Sequence, residues 1–181
     1  MDAPRDYFGM NLLEKTSWSA LAASYRGQPP HVPPELAQST ETIRGAIGVS
    51  TELSPAAAIR TLVDYFRGFR PGPSPPASGN ILLDVALHRL GVCRHRCHAF
   101  VITAQSLGIP ARFVANEAHA FVEIWAPGET PGWLRIDLGG GAEGLTVHGG
   151  DRRKLHQTSA PRTFESGETY QDSYSYEARF S

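Results

Sequence analysis

Residues 91–125 read GVCRHRCHAFVITAQSLGIPARFVANEAHAFVEIW, and this stretch decides the fold. Its first half, residues 93–107, has the composition of a helix stopped by Gly108 and Pro110. Its second half predicts two strands, at residues 111–114 and 118–125. Downstream, residues 133–138 predict a third strand, with Pro127-Gly128 and Pro131-Gly132 turning the chain before it. From Gly139 onward a glycine cluster and polar composition dominate, and residues 170–180, with Tyr174, Tyr176 and Phe180, predict a returning strand.

Upstream, the pattern is helical. Ser54-Pro55 is a start signal, because serine caps and proline is tolerated at the first helical position; Ala58, Ile59, Leu62, Val63 and Phe66 follow at helical spacing. A helix is predicted over residues 55–69, another over 35–47 behind Pro34, and a short one over 81–90 stopped by Gly91. The run Pro71-Gly72-Pro73-Ser74-Pro75-Pro76-Ala77-Ser78-Gly79 reads as a connecting loop. Helices followed by a run of strands indicate an α+β fold. Residues 1–34, closing on Pro29, Pro30, Pro33 and Pro34, read as an entry segment, and residues 35–181 as one domain whose core motifs span 91–138.

Composition narrows the function classes. A chain of 181 residues is long enough for one self-sufficient core, and 41% hydrophobic with 19% charged residues is ordinary for a globular protein. With 17 Lys+Arg against 18 Asp+Glu, no basic field exists to hold a phosphate backbone, which argues against nucleic acid as a partner. No run of about 18 apolar residues occurs, and MDAPRDYFGM lacks the features of a signal peptide. The segment is expected to be soluble without membrane contact of its own, and both ends are also compatible with a piece of a longer protein.

A thiol nucleophile needs a base within hydrogen-bond reach, and the base needs a third group to fix its tautomer. Cys93 stands at a predicted helix start, where unpaired N–H groups and the helix dipole favour a thiolate. His119 falls early in the second strand, sharing a face with Phe121 and Glu123 by alternation, and Asp137 ends the third. Neighbouring strands lie about 4.8 Å apart, so a carboxylate on one reaches an imidazole on the next when the register agrees. Register itself is not written in the sequence.

Four blocks then occur in order: Gly91-Val92-Cys93-Arg94-His95; Leu107-Gly108-Ile109-Pro110-Ala111-Arg112-Phe113-Val114; His119-Ala120-Phe121-Val122-Glu123; and Gly132-Trp133-Leu134-Arg135-Ile136-Asp137. Together they resemble the core of the transglutaminase-like superfamily. The helices before Cys93 resemble the region preceding that core in bacterial members. The resemblance implies a papain-like α+β fold and a Cys-His-Asp triad acting on amide carbonyls, as in protein crosslinkers, cysteine peptidases and peptide N-glycanases. Carried over, the nucleophile is Cys93, the base His119 and the orienting acid Asp137. The implied substrate is a protein or peptide, and no metal or organic cofactor is required.

The chain departs from the family pattern at Phe121, where tryptophan is frequent, and at Leu138-Gly139, where Pro-Thr is frequent; the link from Val114 to His119 is short. Cys97 stands where a small residue is usual. Other readings remain open: Asp137 as a cap or partner of Arg135, a zinc site from His95, Cys97 and His98, and a non-catalytic interaction module that keeps the fold. A disulfide between Cys93 and Cys97 is disfavoured, because Cβ atoms at i and i+4 lie about 5–6 Å apart, beyond disulfide reach. Hydrolysis is favoured over crosslinking, because nothing marks an amine site.

Overall fold

The structure, a computed structural model, describes residues 15–70, 72, 77–115, 119–128 and 131–139. The strand expected at 170–180 and most of the proline-rich loop lie outside the described residues. Among the described residues five helices precede three strands in chain order, an α+β arrangement.

Local signals set most boundaries. Helix α1 (Trp18–Ser24) starts where Ser17 Oγ accepts the Ala20 N–H, α3 (Pro55–Arg67) where Ser54 Oγ accepts that of Ala57, and α4 (Ile81–His88) where Asn80 Oδ1 accepts that of Leu83. Helix α2 (Pro34–Ile47) has proline at its first position and ends on Gly48 in the left-handed region, φ 75°. Helix α5 (Cys93–Ser106) ends at Leu107-Gly108, with Gly108 again left-handed at φ 81°.

The residues expected to be an entry segment contain α1, which sequence patterning does not predict. Its Leu21 is fully buried, the Trp18 indole donates to the Leu53 carbonyl at 2.8 Å, and Trp125 Nε1 donates to Ser24 Oγ at 3.0 Å. The helix holds through these distant partners rather than through its own seven residues, which are too few to be helical alone.

Strands β1 (Ala111–Ala115), β2 (Ala120–Ala126) and β3 (Gly132–Ile136) form an antiparallel sheet in the order β1-β2-β3. The register pairs Val122 with Phe113 on one side and Ile136 on the other, and Glu123 with Arg112 and Arg135. One face of β2, Ala120, Val122, Ile124 and Ala126, joins the core. Helix α5 packs against β1 and β2 and also touches α2, α3 and α4, so it is the central element. Phe66 of α3 meets Phe100 of α5 edge-on at 5.8 Å, both fully buried.

The other face of β2 is also covered. Phe121 lies under the Arg135 guanidinium, 3.7 Å from the ring centroid, and buried Glu123 pairs with Arg112, which stacks 4.2 Å over Trp133. Tyr25 packs edge-on against both Trp125 and Trp133. Among the described residues no helix is long and apolar enough to cross a membrane.

Candidate active site

Two of the expected site residues stand just outside the strands in which sequence alternation placed them. Strand β2 begins at Ala120, so His119 immediately precedes it, and β3 ends at Ile136, so Asp137 immediately follows. The ladder stops there for a local reason. Asp137 Oδ1 accepts the Gly139 N–H at 2.8 Å, an aspartate turn that takes the chain out of the sheet, and Gly139 has φ 75°.

Pairing of Val122 with Ile136 continues to bring the two ends together. His119 Nε2 lies 3.0 Å from Asp137 Oδ1 and 2.9 Å from Oδ2. Asp137 also approaches Arg135 Nη2 at 3.8 Å, and its carbonyl accepts Arg67 Nε–H at 3.0 Å. Pairing with Arg135, one of the alternatives for this carboxylate, is therefore present but secondary to the imidazole. Burial opposes the Asp137 charge; the Gly139 N–H, the bond and charge of His119, and the Arg135 charge outweigh it and hold the carboxyl below its usual value.

Cys93 is the first residue of α5 and half-buried. The turn before it is tight. Gly91 has φ 136°, and a Cβ there would lie 2.8 Å from His95 Cβ, so only glycine fits. The Val92 N–H donates to His95 Nδ1 at 3.2 Å, which closes the first turn of the helix from its N3 position.

One turn further along, the buried Cys97 thiol donates to the Ala120 carbonyl at 3.4 Å. This bond ties α5 to the start of β2: Cys97 shares a helix face with Cys93, four residues earlier, and Ala120 directly follows His119. Both cysteines are free thiols. Burial pushes the Cys97 thiol well up, with the negative forms of Cys93 and Asp137 adding to it. His98 stacks on Phe113 at 4.2 Å, and burial, with the charges of His95 and Arg94, pulls its pKa down to about 4. Among the described residues no group of three His, Cys, Asp or Glu side chains converges to hold a metal ion.

The sequence reading missed Arg96 and Arg67. Arg96 is 3% exposed, and its guanidinium donates to three carbonyls, those of Leu138, Phe69 and Gly91. A signal for it existed: Arg96 shares the helical stripe of Phe100, Thr103 and Leu107, all buried, and a charged residue on such a stripe has to be engaged. Arg67 ends a helix and gave no such signal.

The family model of the transglutaminase-like superfamily matches residues 44–138, just over half of the chain, from the end of α2 to the residue after Asp137. The chain belongs to the transglutaminase-like superfamily. No curated protein and no solved structure matches it. Domains of the transglutaminase-like superfamily usually carry out thiol-dependent acyl transfer. In this member of the superfamily the matched region holds α3, α4, α5 and the whole sheet, with Cys93, His119 and Asp137 all inside it.

Proposed function

We propose that the protein is a thiol-dependent acyl-transfer enzyme acting on amide bonds of a protein or peptide, with Cys93 as nucleophile, His119 as base and Asp137 as the residue that orients the base. The observation that carries the reading is the close His119–Asp137 pair, in a chain of this family whose α5 begins with Cys93 and is tied through Cys97 to the residue after His119. Asp137 engages Nε2, which leaves Nδ1 as the nitrogen to take and return the proton of the thiol.

The Cys93 sulfur attacks the amide carbonyl carbon, and an S–C bond forms as the C=O pair moves onto oxygen. The Cys93 N–H, at the first position of α5, has no intrahelical carbonyl to serve and is the proposed donor to the developing oxyanion. Collapse breaks the C–N bond, His119 gives its proton to the departing amine, and a thioester remains. Water, deprotonated by His119, then attacks the thioester; the S–C bond breaks, a carboxylic acid leaves, and the thiol is restored. Hydrolysis is the favoured outcome over transfer to an amine.

The test incubates the protein and its Cys93→Ala variant with casein or a peptide-amide library, with and without a primary amine, alongside an electrophilic amide-mimic probe. Cysteine-dependent cleavage supports a peptidase, and amine incorporation supports a crosslinker. Absence of both, together with no probe labelling of Cys93, overturns the catalytic reading in favour of an interaction module.

A further inference from the structure

Arg96 belongs to none of the roles above, yet it sits at the junction of the segments that carry them. It is the fourth residue of α5, and its side chain runs back toward the helix start, as helical side chains do. There Nη2 donates to the Gly91 carbonyl at 3.2 Å, two residues before Cys93, and to the Phe69 carbonyl at 3.1 Å, just beyond α3. Nη1 donates to the Leu138 carbonyl at 2.9 Å, one residue after Asp137. Phe69 also offers its ring, 5.7 Å from the guanidinium carbon.

Among the described residues no carboxylate forms a salt bridge with this buried cation. An ion so enclosed is costly to keep unless its environment holds it firmly, and three carbonyl dipoles from three segments are what holds it. Two of those segments are also tied to each other: Arg70 N–H donates to the Arg89 carbonyl at 2.9 Å and Gly91 N–H to that of Arg70 at 3.0 Å. The third, the Asp137 loop, has already left the sheet at Ile136. Arg96 is thus the bond by which α5 itself holds the loop after Asp137. Burial lowers the guanidinium pKa, and the negative forms of Cys97, Cys93 and Asp137 act in the opposite direction.

We propose that Arg96 is a positioning residue that locks the Cys93 end of α5 to the loop carrying Asp137 through the Gly91, Phe69 and Leu138 carbonyls. The inference rests on the reading of Cys93, His119 and Asp137 as one site. Lysine keeps the charge but lacks the planar fork that serves several acceptors at once, and methionine keeps the stem without donors.

The test uses the full chain with Arg96→Lys and Arg96→Met, each also in a Cys93→Ala background, so that the first readout does not depend on Cys93 being a nucleophile. That readout is water exchange of the His119 Nε2 proton by NMR; the second is iodoacetamide alkylation of Cys93. The Trp18 and Trp125 indole protons, bonded to Leu53 and Ser24, report whether the fold is intact. Expected with both indole signals in place are exchange faster by about tenfold or more in Arg96→Met, a smaller acceleration in Arg96→Lys, and alkylation slowed at least about threefold. Wild-type exchange and alkylation in either folded variant overturn the proposal. Loss of the indole signals in both variants also overturns it, since Arg96 would then be a general core residue. If wild-type Cys93 shows no cysteine-dependent turnover while the exchange effect appears, the catalytic reading fails and the positioning of Asp137 stands.

Discussion

The Cys97 thiol donates to the carbonyl of Ala120, the residue after His119, at 3.4 Å, so the second cysteine of α5 acts as a structural pin for the strand start. It is fully buried, whereas Cys93, one turn earlier, is half-exposed. The two thiols therefore have different work, and their chemistry separates them.

Iodoacetamide at neutral pH is expected to alkylate Cys93 first, by at least about tenfold in rate, because burial both blocks Cys97 and suppresses its thiolate. Peptide mass spectrometry over a time course reads this directly. Cys97 modified first reverses the choice of nucleophile.

Cys93→Ala is expected to abolish turnover and probe labelling with the fold retained. His119→Ala should lower kcat by roughly 10²–10⁴-fold, the range of a lost general base. Asp137→Ala should cost less than His119→Ala, since it orients the base without taking the proton. The losses should not add in a His119→Ala/Asp137→Ala double variant, because the pair acts as a unit. Additive losses in kcat would separate the two residues.

His98 gives a pH signature unconnected with turnover. Its pKa is held at about 4 in the folded protein against about 6.5 when unfolded, so the folded state keeps it neutral. Between those values the unfolded chain binds the extra proton, and stability falls as pH drops from about 6.5 toward 4. The contribution is full above 6.5, and its loss amounts to roughly 1–3 kcal/mol for this largely enclosed ring. Urea unfolding of wild type and His98→Leu at pH 7.5, 6 and 5 checks it; the variant should lose much of the slope. An unchanged slope assigns the pH dependence to other groups.

Gly91→Ala combines a backbone angle that L residues rarely adopt with a Cβ placed 2.8 Å from His95 Cβ. A destabilisation of about 1–3 kcal/mol is expected, with a fall in Cys93 alkylation because the strained turn leads into Cys93. Gly45→Ala, in the interior of α2 where a Cβ meets nothing within 4 Å, is the control and should be neutral or stabilising. A neutral Gly91→Ala would show that the turn relaxes freely.

Much of this architecture is legible in residues whose effect is local. Ser54 and Pro55 announce α3, Gly108 and Pro110 end α5, and the four motif blocks point to Cys93, His119 and Asp137 before any distance is known. Helix α1 is not legible, because Trp18, Leu21 and Ser24 are held by Leu53, the core and Trp125 rather than by their neighbours in sequence. The strand ends at His119 and Asp137 are not legible either. An aspartate that caps its own turn ends a ladder that alternation alone would continue. Arg96, which the sequence reading missed, carries only the weak signal of a charge on a buried helical stripe; its three acceptors come from Phe69, Gly91 and Leu138, which the folded chain alone assembles.

His119 and Asp137 stand just beyond the last residues of β2 and β3, while Cys93 belongs to the central helix. A small excursion of the Asp137 loop could therefore part the pair without breaking any rung of the sheet. Its free-energy cost is that of a local opening rather than of global unfolding. On the proposed reading such an opening would give an inactive substate, and it would have to draw on the hold that the buried Leu138 and its bond to Arg96 keep on that end. Its population would be set by how firmly that end is closed, and the proposed activity would then fade below the temperature at which the domain melts.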